Sequence, residues 1–219
     1  MDFSLSEENK IFRDNFRRFC EKEVAPLVEE AEETETFPLQ LFSKMADLGY
    51  LCPRYPEKYG AANIEKLSEV IMREEFSRVC QGIASSWSTH SHLGTYPIFK
   101  WGSEEQKQNY LVPAIRGEKL AAFGLSEPDA GSDVKSLRTT AVRDGKHYII
   151  NGRKTFITNG TFCDFVTLVA YTDPSKGYRG ISLFIVDKGT EGFVVSRKLK
   201  KEGIRSSETA ELLFEDCRI

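Results

Sequence analysis

The chain has 219 residues, of which 40% are apolar and 29% charged. That is the profile of a globular protein long enough to bury a core without disulfide or metal staples. Lys and Arg number 30 against 33 Asp and Glu, a formal net charge of −3, which argues against nucleic acid as the main partner because phosphate binding needs a basic field.

Residues 1–118 carry helical spacing. Ser6 is placed to cap a helix whose apolar positions Phe12, Phe16, Phe19, Val24, Leu27 and Ala31 recur at steps of three and four. Pro26 is expected to kink or break it, since proline lacks an N–H and clashes with the preceding turn. Pro38 opens a second short helix that stops before Gly49. Tyr50 to Ala62, punctuated by Pro53, Pro56 and Gly60, reads as a loop. Asn63 is placed to cap a third helix running to about Cys80, and Gly82 to Leu93 reads as a helix of small residues. Ser103 with Gln106 forms a capping box for a last helix that closes before Gly117.

The pattern changes near Leu120, so a boundary is expected at about residues 117–121, with a β domain over 119–219. β-rich runs lie at 138–143, 147–151, 155–158, 165–171, 181–186, 193–198 and 210–214. Asp144-Gly145, Asn151-Gly152, Asn159-Gly160, Gly189 and Gly203 separate them as turn signals. No helical pattern interrupts the strands, which disfavours a parallel βαβ sheet. The expected fold class is α+β: an N-terminal all-helical domain followed by an antiparallel β-barrel or sandwich.

The apolar runs 164–171 and 181–186 fall short of the roughly 18 residues of a membrane span, and none is expected. The cysteines (Cys20, Cys52, Cys80, Cys163, Cys217) are odd in number, widely spaced and free of a C-x-x-C, which disfavours a disulfide framework or zinc ribbon. Met1-Asp2 leads straight into an amphipathic stretch without a basic and apolar leader, so a cytoplasmic location is expected. Neither G-x-G-x-x-G after a strand, nor G-x-x-x-x-G-K-[ST], nor G-x-S-x-G occurs. His90 and His92 would point about 200° apart on a helix, which favours packed polar residues over a shared metal. Cys163 and Cys217 read as small buried hydrophobes rather than nucleophiles, and His147 as a surface residue.

One segment resists an ordinary reading: Phe123-Gly124-Leu125-Ser126-Glu127-Pro128-Asp129-Ala130-Gly131-Ser132-Asp133. A loop this rich in Gly, Ser and Asp after an apolar strand offers N–H groups and hydroxyls to a polar ring edge or a phosphate. On composition alone a plain turn is the favoured reading.

That loop resembles the signature of the acyl-CoA dehydrogenase family, as does Lys154-Thr155-Phe156-Ile157-Thr158-Asn159-Gly160 further on. The order and spacing of the two are specific. The resemblance extends through Tyr96-Pro97-Ile98, Gly102 to Gln106, Leu111 to Gly117, Arg197-Lys198-Leu199, Gly203-Ile204-Arg205 and Glu208 to Asp216, essentially the whole chain.

The resemblance implies an FAD-dependent oxidation of an acyl-CoA thioester to the trans-2-enoyl-CoA, with electrons passed to electron-transfer flavoprotein. Its chemistry needs a carboxylate to remove the α-proton, a flavin to accept the β-hydrogen, and a dry polar site for the developing enolate. Carried over by motif, Phe123, Leu125 and Ser126 line the flavin, with backbone N–H and hydroxyl aimed at its pyrimidine edge. Ser132 resembles the position that contacts the CoA part of the substrate as well as belonging to the flavin stretch. Phe156, Ile157 and Thr158 form the second flavin-contact triplet, with Phe156, where many relatives carry Trp, packing on the ring and Thr158 near N5. Taken without the resemblance, Phe156 reads as a core residue of a strand. Glu127 is implied to be a structural member of the loop, not the base. Lys176 and Arg179 read as a solvated turn in preference to a CoA phosphate contact. Ser85, Thr89 and Leu93 share one helical face that resembles the floor of the acyl pocket, and helix packing explains them equally well.

In this family a third, helical domain supplies the catalytic Glu and most subunit contacts. The chain is therefore expected to be an N-terminal and middle portion, with no catalytic base among its residues and homo-oligomerisation belonging to the longer protein. Two other readings stay open: an acyl-CoA oxidase-like flavoenzyme, or a non-catalytic acyl-CoA- or flavin-binding module that needs a partner subunit.

Overall fold

The computed structural model describes residues 4–219. Helix α1 (Glu7–Phe19) begins where the Ser6 hydroxyl accepts the Asn9 amide, with Glu7 and Glu8 in its first turn and Arg17 and Arg18 in its last. Both charge placements oppose the helix dipole favourably. The chain does not break at Pro26. It widens into a π turn (Cys20–Val24) and continues as α2 (Ala25–Thr34), with Pro26 in the first turn of α2. The same device recurs twice. A π turn at Thr89–Gly94 precedes α6 (Tyr96–Trp101), and one at Lys107–Leu111 precedes α8 (Val112–Ile115), each helix with proline in its first turn.

Between them lie α3 (Gln40–Asp47), α4 (Lys66–Val79), α5 (Gln81–Ser88) and α7 (Glu104–Gln106), the last opened by the capping box of Ser103 and Gln106. Asn63 does not cap α4. It sits in left-handed backbone (φ 53°), and the chain enters the helix through an extended Glu65. The helical core centres on Phe16, Phe76 and Trp87, with Phe16 and Phe76 edge to face at 4.9 Å. Trp87 Nε1 donates to the carbonyls of Tyr50 and Leu51, which folds the loop after α3 onto the core.

The second half is one curled sheet of β1 (Ala121–Gly124), β2 (Thr140–Asp144), β3 (His147–Thr158), β4 (Phe165–Tyr171), β5 (Ile181–Asp187), β6 (Phe193–Lys198) and β7 (Thr209–Arg218). The order is β1-β4-β2-β3-β7-β6, with β5 on β4. The expected antiparallel sheet is corrected to a mixed one, because β1 runs parallel to β4 (Ala121 beside Phe165) and β2 touches β4 in parallel at Thr140 and Tyr171. Parallel neighbours need a crossover of about a dozen residues or more, and the β2–β3 hairpin serves as that crossover in place of a helix. Every residue of β4 is buried, as a central strand covered on both faces requires. Asn151-Gly152 is not a turn either. β3 runs straight through it, and a register shift against β7 falls there while Gly152 presses on Thr139, where a Cβ would lie 2.4 Å from the hydroxyl.

The halves dock where β1 meets the Thr89–Gly94 turn; a Cβ on Gly94 would fall 2.6 Å from that of Ala121. A second contact closes the far side. Glu32 on α2 accepts from the amides of Arg205 and Ser206 and from the Ser206 hydroxyl. Replacing Glu32 with Ala is expected to cost about 1.5–3 kcal/mol, the range for hydrogen bonds to a charged group, in urea unfolding followed by circular dichroism, and to expose the loop around Lys201 to limited trypsin digestion. An unchanged midpoint and an uncut loop would contradict the clamp.

A candidate ligand groove at the domain junction

Two segments of the β half meet in space through one buried ion pair. Lys154, on β3, has a fully buried side chain. Its Nζ donates to Glu127 Oε1 at 2.7 Å and to the Leu125 carbonyl at 3.0 Å. Glu127 also accepts from the Arg138 and Thr139 amides (2.6 and 3.0 Å) and from the Thr139 hydroxyl (2.5 Å). Burial pushes the Glu127 carboxyl up, but the bonds from Lys154, Thr139 and Arg138 outweigh it and hold the group below the usual carboxylate range. The loop closes on itself through paired Glu127 and Ala130 backbone bonds, and Thr155 N–H donates to the Ser126 carbonyl at 2.9 Å. The acceptor groups of Leu125 and Ser126 are thus engaged inward by β3.

Two residues beyond Lys154 the strand departs from its ladder. Register against β7 slips between Lys154 and Ile157, and Phe156 adopts φ 58°. Left-handed backbone costs a bulky residue about 1–2 kcal/mol. The bulge turns the ring outward, so that Phe156 is 71% exposed between the buried Thr155 and Ile157. The reading of Phe156 as a core residue is therefore set aside. A large aromatic held on the surface in left-handed backbone is an outlier that the surrounding strand must hold in place.

The groove beside it, about 230 Å³, is lined by Phe123, Leu125, Ser126, Phe156, Ile157 and Thr158 of the sheet and by Thr89 and Leu93 of the helical half. Six of the residues singled out in the sequence thus share one wall. Ser132 does not join them; it is exposed at the tip of the 126–137 loop and does not line the groove. Thr89 and Leu93, equally explicable as packing in the sequence, form the opposite side, while Ser85 does not line it. Lys154 belongs to the second motif, but nothing in its local sequence reveals that this lysine, of a residue type rarely buried, faces inward. A larger cavity of about 350 Å³ between α6 and β5, lined by Trp101 and Leu183 among others, lies away from these motifs.

His90 is buried and donates from Nε2 to the Ala114 carbonyl, while its Nδ1 accepts the Ala121 amide, both at 3.0 Å. His92 pairs with Glu69. Both histidines thus have protein partners. Burial raises the Cys163 thiol to about 12 and also raises Cys217, so neither is a thiolate at neutral pH. Among the described residues no helix is long and apolar enough to cross a membrane.

Fold and groove define a helical domain joined to a curled mixed sheet, with an aromatic-faced cleft at the junction. Residues 6–118 match the model of the acyl-CoA dehydrogenase N-terminal domain and residues 122–217 that of the middle domain, and the chain belongs to the acyl-CoA dehydrogenase family. It is 45% identical over 216 residues to the short-chain specific acyl-CoA dehydrogenase of Clostridium acetobutylicum, covering 99% of this chain and 57% of that protein. Among solved structures it superposes with a TM-score of 0.94, at 42% identity, on a chain from work on the electron transferring flavoprotein of Acidaminococcus fermentans and flavin-based electron bifurcation, covering 100% of this chain and 58% of that one. A glutaryl-CoA dehydrogenase from Mycobacterium smegmatis in complex with FADH2 gives a TM-score of 0.92 at 33% identity, covering 98% of this chain and 54% of that one. The chain thus spans little more than half the length of these relatives.

The ion pair makes a direct prediction. Glu127→Gln leaves the Lys154 ammonium buried without its counter-charge, which is expected to cost about 3–5 kcal/mol in urea unfolding at pH 7. Because the folded-state pKa of Glu127 is depressed, its contribution is present above the ordinary carboxylate pKa of about 4 and is lost as pH falls through the lowered value. The gap between the native protein and the variant should therefore narrow below about pH 4; a gap independent of pH would contradict the ionised pair.

Proposed function

We propose that this chain forms the flavin-facing part of an FAD-dependent acyl-CoA dehydrogenase, which oxidises an acyl-CoA thioester to the trans-2-enoyl-CoA and hands electrons to an electron-transfer flavoprotein. The observation that carries the reading is Phe156, exposed in strained backbone beside Ser126 and Thr158 in one groove. In this reading the helical and β domains divide at residues 118 and 119.

The residues present fit an isoalloxazine. Phe156 gives a flat apolar face, and Leu93 and Ile157 extend the apolar lining. The carbonyls of Leu125 and Ser126 are held inward by Lys154 and Thr155, so the loop has its donors to offer the ring's polar edge. Ser126 and Thr158 add hydroxyls, each half-buried. When bound, FAD supplies the acceptor for the substrate's β-hydrogen. The N–H and hydroxyl donors would stabilise negative charge on the ring edge, and Phe156 would cover one face of the ring. Ser132, exposed at the loop tip, is assigned to the CoA moiety outside the groove.

Among the described residues no carboxylate lines the groove. Glu127 is committed to Lys154, Thr139 and the Arg138 amide, and its lowered pKa suits a fixed anion rather than a proton acceptor. We therefore assign removal of the α-proton to a carboxylate outside these residues.

Titration of the protein with FAD, followed by quenching of flavin fluorescence, tests the reading. Phe156→Ala should weaken binding by roughly three- to tenfold, the value of one aromatic stacking contact. Phe156→Gly should weaken it further while raising thermal stability, because glycine removes the left-handed strain. Binding by the Ala variant equal to that of the unaltered protein would refute the assignment of Phe156.

A further inference from the structure

The groove's walls come from the Thr89–Gly94 turn, the strand leading to Ser126, and the end of β3. Each wall has a buried polar contact next to it, and contacts from two sides converge on one residue, Ala121. The Ala121 N–H donates to His90 Nδ1 at 3.0 Å, and His90 follows Thr89 directly. The Ala121 carbonyl accepts from Asn159 Nδ2 at 3.3 Å, and Asn159 follows Thr158 directly. The same Nδ2 donates to the Ser86 carbonyl on α5 at 2.9 Å. Ala121 itself stands two residues before Phe123. His90, Asn159 and Ala121 are all fully buried.

We infer that His90 and Asn159 are positioning residues that set the width of the groove by gripping Ala121 from the helical side and from β3. This rests on the flavin reading for its purpose, but the geometry stands without it. The His90 ring is locked as well as placed. Nδ1 must accept because an amide points at it, so Nε2 carries the proton, which it gives to the Ala114 carbonyl at 3.0 Å. Burial lowers the imidazole pKa to about 4, which keeps Nδ1 free of a proton at neutral pH. Asn159 holds left-handed backbone (φ 66°), a conformation asparagine tolerates better than most residues, and this aims its amide across the junction. Gly94 completes the close approach, since any Cβ there would strike Ala121.

The geometry separates two substitutions. Asn at position 90 places an oxygen where Nδ1 stands and restores the bond to Ala121; Gln places a nitrogen where Nε2 stands and restores only the bond to Ala114. Amide hydrogen exchange on the full chain, with melting temperatures measured alongside, reads the difference. We expect His90→Gln to speed exchange by about tenfold at residues 121–126, the factor one lost hydrogen bond carries, and His90→Asn to restore the native rates even where the two variants melt alike. Asn159→Ala provides the same readout should His90→Gln fail to fold. Equal exchange in His90→Asn and His90→Gln, or faster exchange confined to the helical core around Ala114, would overturn the inference. Titration with FAD runs in parallel, where His90→Gln should bind about tenfold more weakly than His90→Asn. If the unaltered protein takes up no FAD, the flavin reading falls, and the exchange rates still decide the role of His90.

Discussion

The site depends on a charge that has no business in the interior. Lys154 is wholly buried, and such an ammonium is tolerated only with a counter-charge and full hydrogen bonding. Glu127 provides the charge, and the Leu125 carbonyl provides a further acceptor. Meeting that demand draws the 125–127 loop onto β3, although 27 residues separate the two ionised groups in the chain. The Thr139 and Arg138 contacts bring the far end of the same loop to the same carboxylate. One anion therefore ties together the exit of β1, the entry to β2 and the middle of β3, and the groove forms along the seam.

Around that fixed point the structure spends stability on presentation. β3 gives up ladder regularity at a bulge, and Phe156 accepts left-handed backbone to face outward. The helical half contributes through the Thr89–Gly94 turn, whose π geometry prepares the chain for Pro97 and lets Gly94 approach β1 closely. Local strain of this kind persists only where the surroundings over-determine it. Here the buried ion pair two residues before Phe156 and the Asn159 contacts three residues after it fix the strand on both sides.

Much of the fold was legible in the sequence because it follows local periods. The α1 cap at Ser6, the capping box at Ser103 and the strands at 165–171 and 193–198 appear as the spacing implies. What escaped was whatever local pattern does not encode. Pro26 looked like a breaker because a sequence does not reveal that a π turn will absorb it. Helix α6 was hidden because Gly94 just before it and Pro97 in its first turn usually signal a loop. The parallel pairing of β1 with β4 is a long-range register choice invisible to alternation. For the groove, composition offered only a polar loop and a strand; it was the family resemblance of two motifs that singled out the residues now seen on one wall. Phe156 shows the limit most clearly, since its strand context argues for burial and only the bulge exposes it.

A double-mutant cycle on Glu127 and Lys154, with Glu127→Gln, Lys154→Met and the two combined measured by urea unfolding at pH 7, tests the central claim most directly. If the buried pair holds the two segments together, the combined variant should be less destabilised than the sum of the single ones by about 2–3 kcal/mol. Additivity within about 0.5 kcal/mol would show that the two charges do not depend on each other, and the account of how the groove is assembled would fail.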